Sequence, residues 1–226
     1  MNRRVIILGT GGTSVDILDT IIDLNNAGAE PIECAGFLDD NADAWDRSIF
    51  GVPVLGPLAM ADHFDDCLFV NGIGSPESYS RRPEIIRRTG VPVERFLTLI
   101  HPTASVSQSA RLGRGVVIFQ HVTVTANAWI GDHVVALPNS VVSHDVRIGD
   151  YTCVAGGVKI SGGVTIGRGC YIGTGSAIIG GVEIGDGALV GLGSAVIRNV
   201  PANTVVVGNP ARPLRTARPV GVAASH

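Results

Sequence analysis

Aliphatic residues recur with a period of six through the second half of the chain. From Leu99 to Val200 the sequence divides into 17 consecutive hexads without an insertion. The second position of each hexad is Ile, Val or Leu, with Ala136 as the one exception, and the sixth is Ala, Val, Ser, Thr or Cys. A sixth position and the next second position are two residues apart, so both side chains face the same side of a short strand.

A sixfold period sustained over this length predicts a parallel β-helix, in which three hexads form one triangular coil of about 18 residues. A glycine-rich sandwich or a flexible linker would not require an aliphatic residue at every sixth position. The second and sixth positions are therefore expected to fill the interior of a three-walled rod.

The first half of the chain alternates apolar runs with segments that fit helices. Val5–Leu8 predicts a buried parallel strand, and the apolar positions from Val15 to Leu24 fit one face of a helix. A second strand, 32–38, ends in Asp39 and Asp40, and further strands and helices follow. This alternation predicts a small doubly wound α/β domain, a Rossmann-like parallel fold.

Three parts of the chain are predicted. They are an α/β domain over residues 1–98, a β-helix with its C-terminal cover over 99–215, and a flexible tail over 216–226. The cover is expected because the open end of a β-helix has to be closed.

The composition limits the kinds of binding partner that we expect. The net charge of −3 gives no basic excess, so we expect no nucleic-acid partner. The longest apolar runs are shorter than the roughly 18 residues of a membrane span, and none is expected. The four cysteines form no CxxC pair, which is typical of free thiols in the cytoplasm.

The loop after the first strand is rich in glycine. Gly9, Gly11 and Gly12 let the backbone approach a ligand, and the following helix N-terminus favours phosphate. The last glycine of a full GxGxxG motif is missing, so a tight turn without a ligand is the alternative. Asp39 and Asp40 could hold a ribose or a base edge, or form a solvated turn. Ligands of doubly wound sheets bind at this end of the strands.

His144 occupies the fourth position of its hexad, away from the inward positions. We expect it at a corner or on the surface, where an imidazole near neutral pH can accept a proton from an attacking group. On the residues alone, a solvated surface histidine is the competing interpretation. Asp145 could orient such a base or simply form a turn.

The order of the two predicted domains resembles a known family. A small α/β domain before a hexapeptide β-helix is similar to the sugar acetyltransferases of the sialic acid O-acetyltransferase type. That group includes the N-acetyltransferases of UDP-bacillosamine and GDP-perosamine. The resemblance covers the chain from Val5 to about Pro213. It implies a left-handed β-helix, a homotrimer, acetyl-CoA as co-substrate and no metal.

The resemblance also implies roles for individual residues. His144 would be the general base, with Asp145 supporting it. The residues implied to hold a nucleotide-linked sugar are Gly11, Gly12, Thr13, Asp39, Asp40 and Gly56. Thr13, Leu137 and Cys153 stand where the family commonly has His, Asn and His, respectively.

Acetyl-CoA in this family lies in the groove between two rods of the trimer. Positions 18 residues apart stack on one edge of a rod, so the implied contacts follow one column and its neighbours. They are Gly156, Thr174, Gly175, Leu192 and Gly193. Cys153, which stands where the family has a second His close to acetyl-CoA, is a further implied contact. Arg212 and Arg215 could meet the CoA phosphates or belong to a solvated tail.

These features favour one function and leave two alternatives. We expect an acetyl-CoA-dependent N-acetyltransferase acting on a nucleotide-linked amino sugar of the 4-amino-4,6-dideoxy type, by direct transfer in a ternary complex. O-acetylation of a sugar such as sialic acid is one alternative. A non-catalytic scaffold that binds nucleotide-sugars is the other.

Overall fold

The computed structural model describes residues 3–217. Its N-terminal part is a five-stranded sheet with the order β3-β4-β2-β1-β5. The strands are β1 (Arg3–Leu8), β2 (Ile32–Leu38), β3 (Ser48–Ile49), β4 (Val52–Gly56) and β5 (Leu68–Asn71). The β3–β4 pair is antiparallel and the other pairs are parallel.

Two α-helices accompany this sheet, α1 (Gly12–Asn26) and α2 (Arg82–Arg88). Short 3-10 helices span Ala42–Ala44, Leu58–His63, Tyr79–Arg81 and Val93–Arg95. The predicted α/β fold is confirmed. Within residues 3–217, no helix is both long and apolar enough to cross a membrane.

From residue 99 the chain winds into three parallel walls of two-residue strands, β6 to β22. Wall 1 contains β6 (Leu99–Ile100), β9 (Val117–Ile118), β12 (Val135–Ala136), β15 (Cys153–Val154), β18 (Tyr171–Ile172) and β21 (Leu189–Val190). Wall 2 contains β7 (Ser105–Val106), β10 (Thr123–Val124), β13 (Val141–Val142), β16 (Lys159–Ile160), β19 (Ala177–Ile178) and β22 (Ala195–Val196). Wall 3 contains β8 (Arg111–Leu112), β11 (Trp129–Ile130), β14 (Arg147–Ile148), β17 (Thr165–Ile166) and β20 (Glu183–Ile184).

The interior of the rod consists of the side chains that the hexad pattern selects. Second-position residues such as Val142 and Ile148 and sixth-position residues such as Val146 are fully buried in one continuous cluster. Each strand pairs with the strand 18 residues further on, for example Ile130 with Ile148. The turns between walls form three columns, which we call corner 1–2, corner 2–3 and corner 3–1.

Loss of an interior side chain should destabilise the rod. Replacing Ile148 with Ala should lower the free energy of unfolding by about 2–5 kcal/mol, because the packed interior cannot close over the cavity. Arg147→Ala, on the exposed face of the same strand, should change it by no more than about 0.5 kcal/mol. Urea unfolding measures the free energy of unfolding of both variants. Equal losses would contradict the assignment of Ile148 to the interior and Arg147 to the exposed face.

The α/β domain packs on wall 1 and on neither of the other walls' outward faces. The outward first-position residues Leu99, Val117 and Val135 are buried in one cluster with Ile7 and Ile17. On wall 3, by contrast, the corresponding side chains Arg111, Trp129, Arg147, Thr165 and Glu183 are exposed. The outward side chains of wall 1 are therefore part of the interface between the two domains.

Arg82 fixes the α/β domain against wall 1. Its side chain is fully buried. Nη1 donates hydrogen bonds to the carbonyl oxygen of Tyr151 (2.6 Å) and to Sγ of Cys153 (3.1 Å), and Nη2 donates to the carbonyl oxygen of His133 (2.9 Å). Backbone oxygens of two successive coils thus hold one helix of the α/β domain in place.

The C-terminal cover extends wall 1. Strand β23 (Thr204–Val207) pairs in parallel with β21, and β24 (Arg212–Thr216) pairs antiparallel with β23. The predicted tail begins two residues too early, because Thr216 pairs with Thr204 and Ala217 is buried. Residues 218–226 of that predicted tail lie outside the described residues.

Candidate active site

The glycine loop forms the start of α1. Gly11 is the N-cap residue, with φ −71° and ψ 176°, and Gly9 has φ +94°, a conformation that favours glycine. The parallel strand β5 passes close by, because a Cβ on Gly72 would lie 2.1 Å from Oγ of Ser14. At Gly11 and Gly12, an added Cβ would have no atom within 4 Å, so these positions face open space.

That open space is a cavity of about 450 Å³ at the carboxyl ends of β1, β2 and β5. The structure brings five of the predicted sugar-binding residues to its wall: Gly11, Gly12, Thr13, Asp39 and Asp40. The sequence analysis missed Thr10 and four polar residues after β5 that also line it: Ser75, Ser78, Arg81 and Arg88. These four follow β5, which neighbours β1, and the strand order was the signal that could have identified them.

The two aspartates have different roles in this cavity. Oδ2 of Asp39 accepts hydrogen bonds from the amide and the hydroxyl of Thr10, both at 2.7 Å, and Oδ1 accepts one from the amide of Asn41. Asp39 therefore ties the glycine loop to the end of β2. Asp40 uses Oδ1 to accept a hydrogen bond from the amide of Leu58 at 3.0 Å.

Gly56 does not line the cavity. Its carbonyl oxygen accepts a hydrogen bond from the amide of Asp39 at 2.9 Å, and its φ of +139° favours glycine. A Cβ there would lie 2.6 Å from Sδ of Met60. The structure thus gives Gly56 a contact with the backbone of Asp39, and its contact with the nucleotide-linked sugar stays a prediction.

His144 lies at corner 2–3 of the rod with its side chain 67% exposed. Its Nδ1 is 2.8 Å from Oδ2 of Asp145. A carboxylate can only accept, so Nδ1 carries the hydrogen and Nε2 remains an acceptor. The hydrogen bond from His144, followed by a 3.3 Å hydrogen bond from Nδ2 of Asn127, holds the pKa of Asp145 below its ordinary value. The pair has the geometry of a general base and its orienting carboxylate.

The predicted acetyl-CoA contacts lie at corner 1–2. Gly156, Thr174 and Leu192 stack on successive coils, and Leu192 is 82% exposed. The amides of Gly175 and Gly193 donate to the carbonyl oxygens of Gly156 (2.9 Å) and Thr174 (2.8 Å). These two amides are therefore already occupied, whereas the amides of Gly156, Thr174 and Leu192 have no backbone acceptor within residues 3–217.

Cys153 lies away from this column. It occupies an outward position on wall 1, where the α/β domain covers it to 5% exposure and Arg82 donates to its sulfur. Burial raises the pKa of its thiol. Leu137 packs against the same interdomain core. The contact between Cys153 and acetyl-CoA stays a prediction, and in the single chain the α/β domain covers this side chain.

The two arginines near the C-terminus are exposed on β24, at the edge of wall 1. Nη1 of Arg212 donates to the carbonyl oxygen of Ala211. Arg215 lines a second cavity, of about 560 Å³, between the C-terminal coils and residues 76–80. Within the described part of the chain, no three His, Cys, Asp or Glu side chains are grouped as metal ligands would be.

One chain does not bring the cavity and His144 together. The α/β domain, with its cavity, lies on wall 1, whereas corner 2–3 is the corner that wall 1 does not touch. The Gly156 column lies on a third position, corner 1–2. Within one chain, the three therefore lie at different positions around the rod.

Comparisons with known proteins agree with this architecture. Residues 127–162 match the family described as bacterial transferase hexapeptide (six repeats). A UDP-N-acetylbacillosamine N-acetyltransferase from Bacillus subtilis is 34% identical over 118 residues, which is 51% of this chain and 51% of that protein. This match therefore spans about half the length of the curated relative.

Two solved structures match nearly the whole chain. A variant of perosamine N-acetyltransferase from Caulobacter crescentus, in complex with CoA and GDP-perosamine, is 31% identical with a TM-score of 0.80, over 93% of this chain and 96% of that one. The acetyltransferase domain of PglB from Neisseria gonorrhoeae, in complex with acetyl coenzyme A, is 27% identical with a TM-score of 0.82, over 95% and 100%. The chain therefore belongs to the hexapeptide-repeat sugar acetyltransferases, which join a small Rossmann-like domain to a left-handed β-helix.

Proposed function

We propose that the chain is an acetyl-CoA-dependent N-acetyltransferase that acts on the amino group of a nucleotide-linked 4-amino-4,6-dideoxy sugar. The observation that carries this proposal is the His144–Asp145 pair on an exposed corner of the rod, with Nε2 of the imidazole free to accept a proton. The family relatives of known activity include enzymes named for acetylating perosamine and N-acetylbacillosamine.

The cavity in the α/β domain suits the nucleotide. The N-terminus of α1 presents backbone amides and the positive end of the helix dipole, which favour a diphosphate. Arg81 and Arg88 also line the cavity and add two cationic groups. Asp40 lies at the end of β2, where a carboxylate can accept hydrogen bonds from a base or a ribose.

The proposed reaction is a direct transfer. The neutral sugar amine attacks the thioester carbonyl carbon, a C–N bond forms, and Nε2 of His144 accepts a proton from the nitrogen. The tetrahedral intermediate then breaks its C–S bond, and the CoA sulfur takes up a proton. The products are the acetamido sugar and CoA with a free thiol. Cys67, Cys153 and Cys170 are buried, and Cys34 lies on β2 of the α/β domain, which supports a transfer without a protein acyl carrier.

We propose a homotrimer that completes the site. If three parallel rods turn wall 2 toward a threefold axis, corner 2–3 of each rod meets corner 1–2 of the next. The outward side chains of wall 2 are mostly small, which suits close packing near an axis: Ser105, Thr123, Val141, Lys159, Ala177 and Ala195. His144 of one subunit would then face the Gly156 column of its neighbour.

The levels of these groups along the rod agree with that arrangement. Thr13, at the edge of the nucleotide cavity, lies near Leu137, which belongs to the same coil as His144. Gly156, Thr174 and Leu192 follow on the next three coils. A sugar held by one subunit and an extended pantetheine arm along its corner 1–2 could therefore converge on the neighbour's imidazole.

An acceptor panel tests the proposal. The protein is incubated with acetyl-CoA and UDP-, GDP- or dTDP-linked 4-amino sugars, and free thiol and product mass are followed. We expect thiol release that depends on the amino sugar, with one acetyl group added to it. Turnover only with hydroxyl acceptors would favour O-acetylation, and tight nucleotide-sugar binding without any thiol release would favour the scaffold; either result would overturn the proposal.

A further inference from the structure

The imidazole of His144 lies directly against Gly162, one coil further along corner 2–3. A Cβ on Gly162 would lie 2.5 Å from both Cε1 and Nε2 of His144, and 3.1 Å from Cδ2. Atoms in proteins do not pack at such distances, so a side chain at residue 162 and the imidazole in this position exclude each other. The contact involves Nε2, the nitrogen that the proposed reaction uses.

The backbone does not explain why residue 162 is glycine. The left-handed conformation of this turn falls on Gly163, with φ +69°, whereas Gly162 is not among the residues with positive φ. Alanine could therefore adopt the backbone of residue 162. The steric demand at this position comes from the His144 ring.

The carboxylate of Asp145 is held from the preceding coil. Nδ2 of Asn127 donates to Oδ1 of Asp145 at 3.3 Å, which leaves Oδ2 for Nδ1 of His144. Asn127 is itself held in place, because its backbone amide donates a hydrogen bond to Oγ of Ser109 at 3.0 Å. Ser109, Asn127 and Asp145 thus form a ladder with one residue from each successive coil.

We propose that Gly162 and Asn127 are positioning residues that hold the His144 imidazole in its reactive orientation. Gly162 leaves the space in which Nε2 lies beside the rod, and Asn127 fixes the carboxylate that binds Nδ1. The inference rests on the proposed role of His144 as general base. Neither residue needs to touch the substrate for this role.

Gly162→Ala tests the first half. The exposed ring can rotate away from the new methyl group, so the melting temperature should stay within error of wild type. Because the base is displaced, kcat should fall by about 10²-fold. In a His144→Ala background the same substitution should cause no further loss. A double-mutant cycle of kcat measures this coupling.

The cycle separates the two levels of the proposal. If His144→Ala is inactive and Gly162→Ala retains full kcat, the positioning role is wrong and the general base stands. If His144→Ala retains full kcat, the general base itself is wrong and the positioning role has no basis. Equal losses from Gly162→Ala with and without His144 would also overturn the proposal, because the glycine would then act independently of the ring.

Asn127→Gly tests the second half. Asn127 has φ +59°, a conformation in which glycine is unstrained. This variant therefore removes the side-chain amide without straining the turn. We expect the pKa of Asp145 to rise toward its ordinary value, and kcat to fall by about 10-fold. Carboxyl NMR titration reads the pKa directly, which a merely structural role would leave unchanged.

The matched control is Asn203→Gly. Asn203 has φ +52° and lies at corner 3–1, away from His144. This variant should retain wild-type kcat and the wild-type titration of Asp145. An Asn127→Gly protein with unchanged Asp145 titration and unchanged kcat would overturn the role of Asn127.

Discussion

Replacing His144 with Ala should lower kcat by about 10² to 10⁴-fold, the usual contribution of a positioned general base. The side chain is exposed and its one hydrogen bond is to Asp145, so the fold should not depend on it. The KM values for both substrates should change far less than kcat, because the imidazole acts on the proton and not on the nucleotide or CoA. Steady-state kinetics with unchanged thermal unfolding checks both expectations.

His63→Ala is the matched control for this substitution. His63 is 69% exposed, lies in the α/β domain and does not line the nucleotide cavity. Its replacement should leave kcat and KM at wild-type values. A His144→Ala enzyme with wild-type kcat would remove the imidazole from the reaction.

Replacing Gly11 with Phe should weaken binding of the nucleotide-sugar by at least about 100-fold, since the ring would occupy the space meant for the ligand. The backbone at Gly11 has φ −71° and ψ 176°, which any residue can adopt, and its Cβ would point into open space. The fold and the affinity for acetyl-CoA should therefore persist. Calorimetric titration with each ligand separates the two affinities.

Gly11→Ala is the graded control. A methyl group has room at this position, so its effect on nucleotide-sugar affinity should be much smaller than that of the phenyl ring. If Gly11→Phe bound the nucleotide-sugar as tightly as wild type, the cavity of the α/β domain would not be the nucleotide site.

The hexad pattern predicts the rod almost completely, because burial of the second and sixth positions is a local property of the repeat. Val142, Val146 and Ile148 are buried because they occupy second or sixth positions, which face the interior of the rod. Outward positions are different. Whether an outward side chain is covered depends on where the α/β domain packs, and the repeat carries no information about that.

Cys153 shows the consequence of this limit. Its hexad position is the same as that of exposed Arg147, but it belongs to wall 1 and is buried under Arg82. The repeat itself shows that His144 and Gly156 lie at different corners. Residues at the same corner are separated by multiples of three hexads, whereas these two are two hexads apart. The distance between the predicted base and the predicted acetyl-CoA column in one chain was therefore foreseeable.

The cavity of the α/β domain was predictable in part. Glycines after β1 and aspartates after β2 are recognisable from sequence, because the carboxyl ends of adjacent parallel strands meet at one edge. Arg81 and Arg88 were missed because they follow β5, and its place beside β1 is a property of the sheet order. Gly56 was implied to hold the sugar; its φ of +139° and the close approach of Met60 are sufficient to explain why this residue is glycine.

The central claim is that the nucleotide cavity of one subunit works with His144 of another. Co-expression of two differently tagged chains, one carrying His144→Ala and the other Gly11→Phe, followed by purification on both tags, tests it most directly. At nucleotide-sugar concentrations below KM, each variant alone should lose activity by at least about 100-fold. Each cyclic trimer that carries both tags has one site in three that pairs an intact cavity with an intact neighbouring histidine, so about one third of wild-type activity should return. Mixed trimers that contain both chains and show no activity above the single variants would contradict the claim.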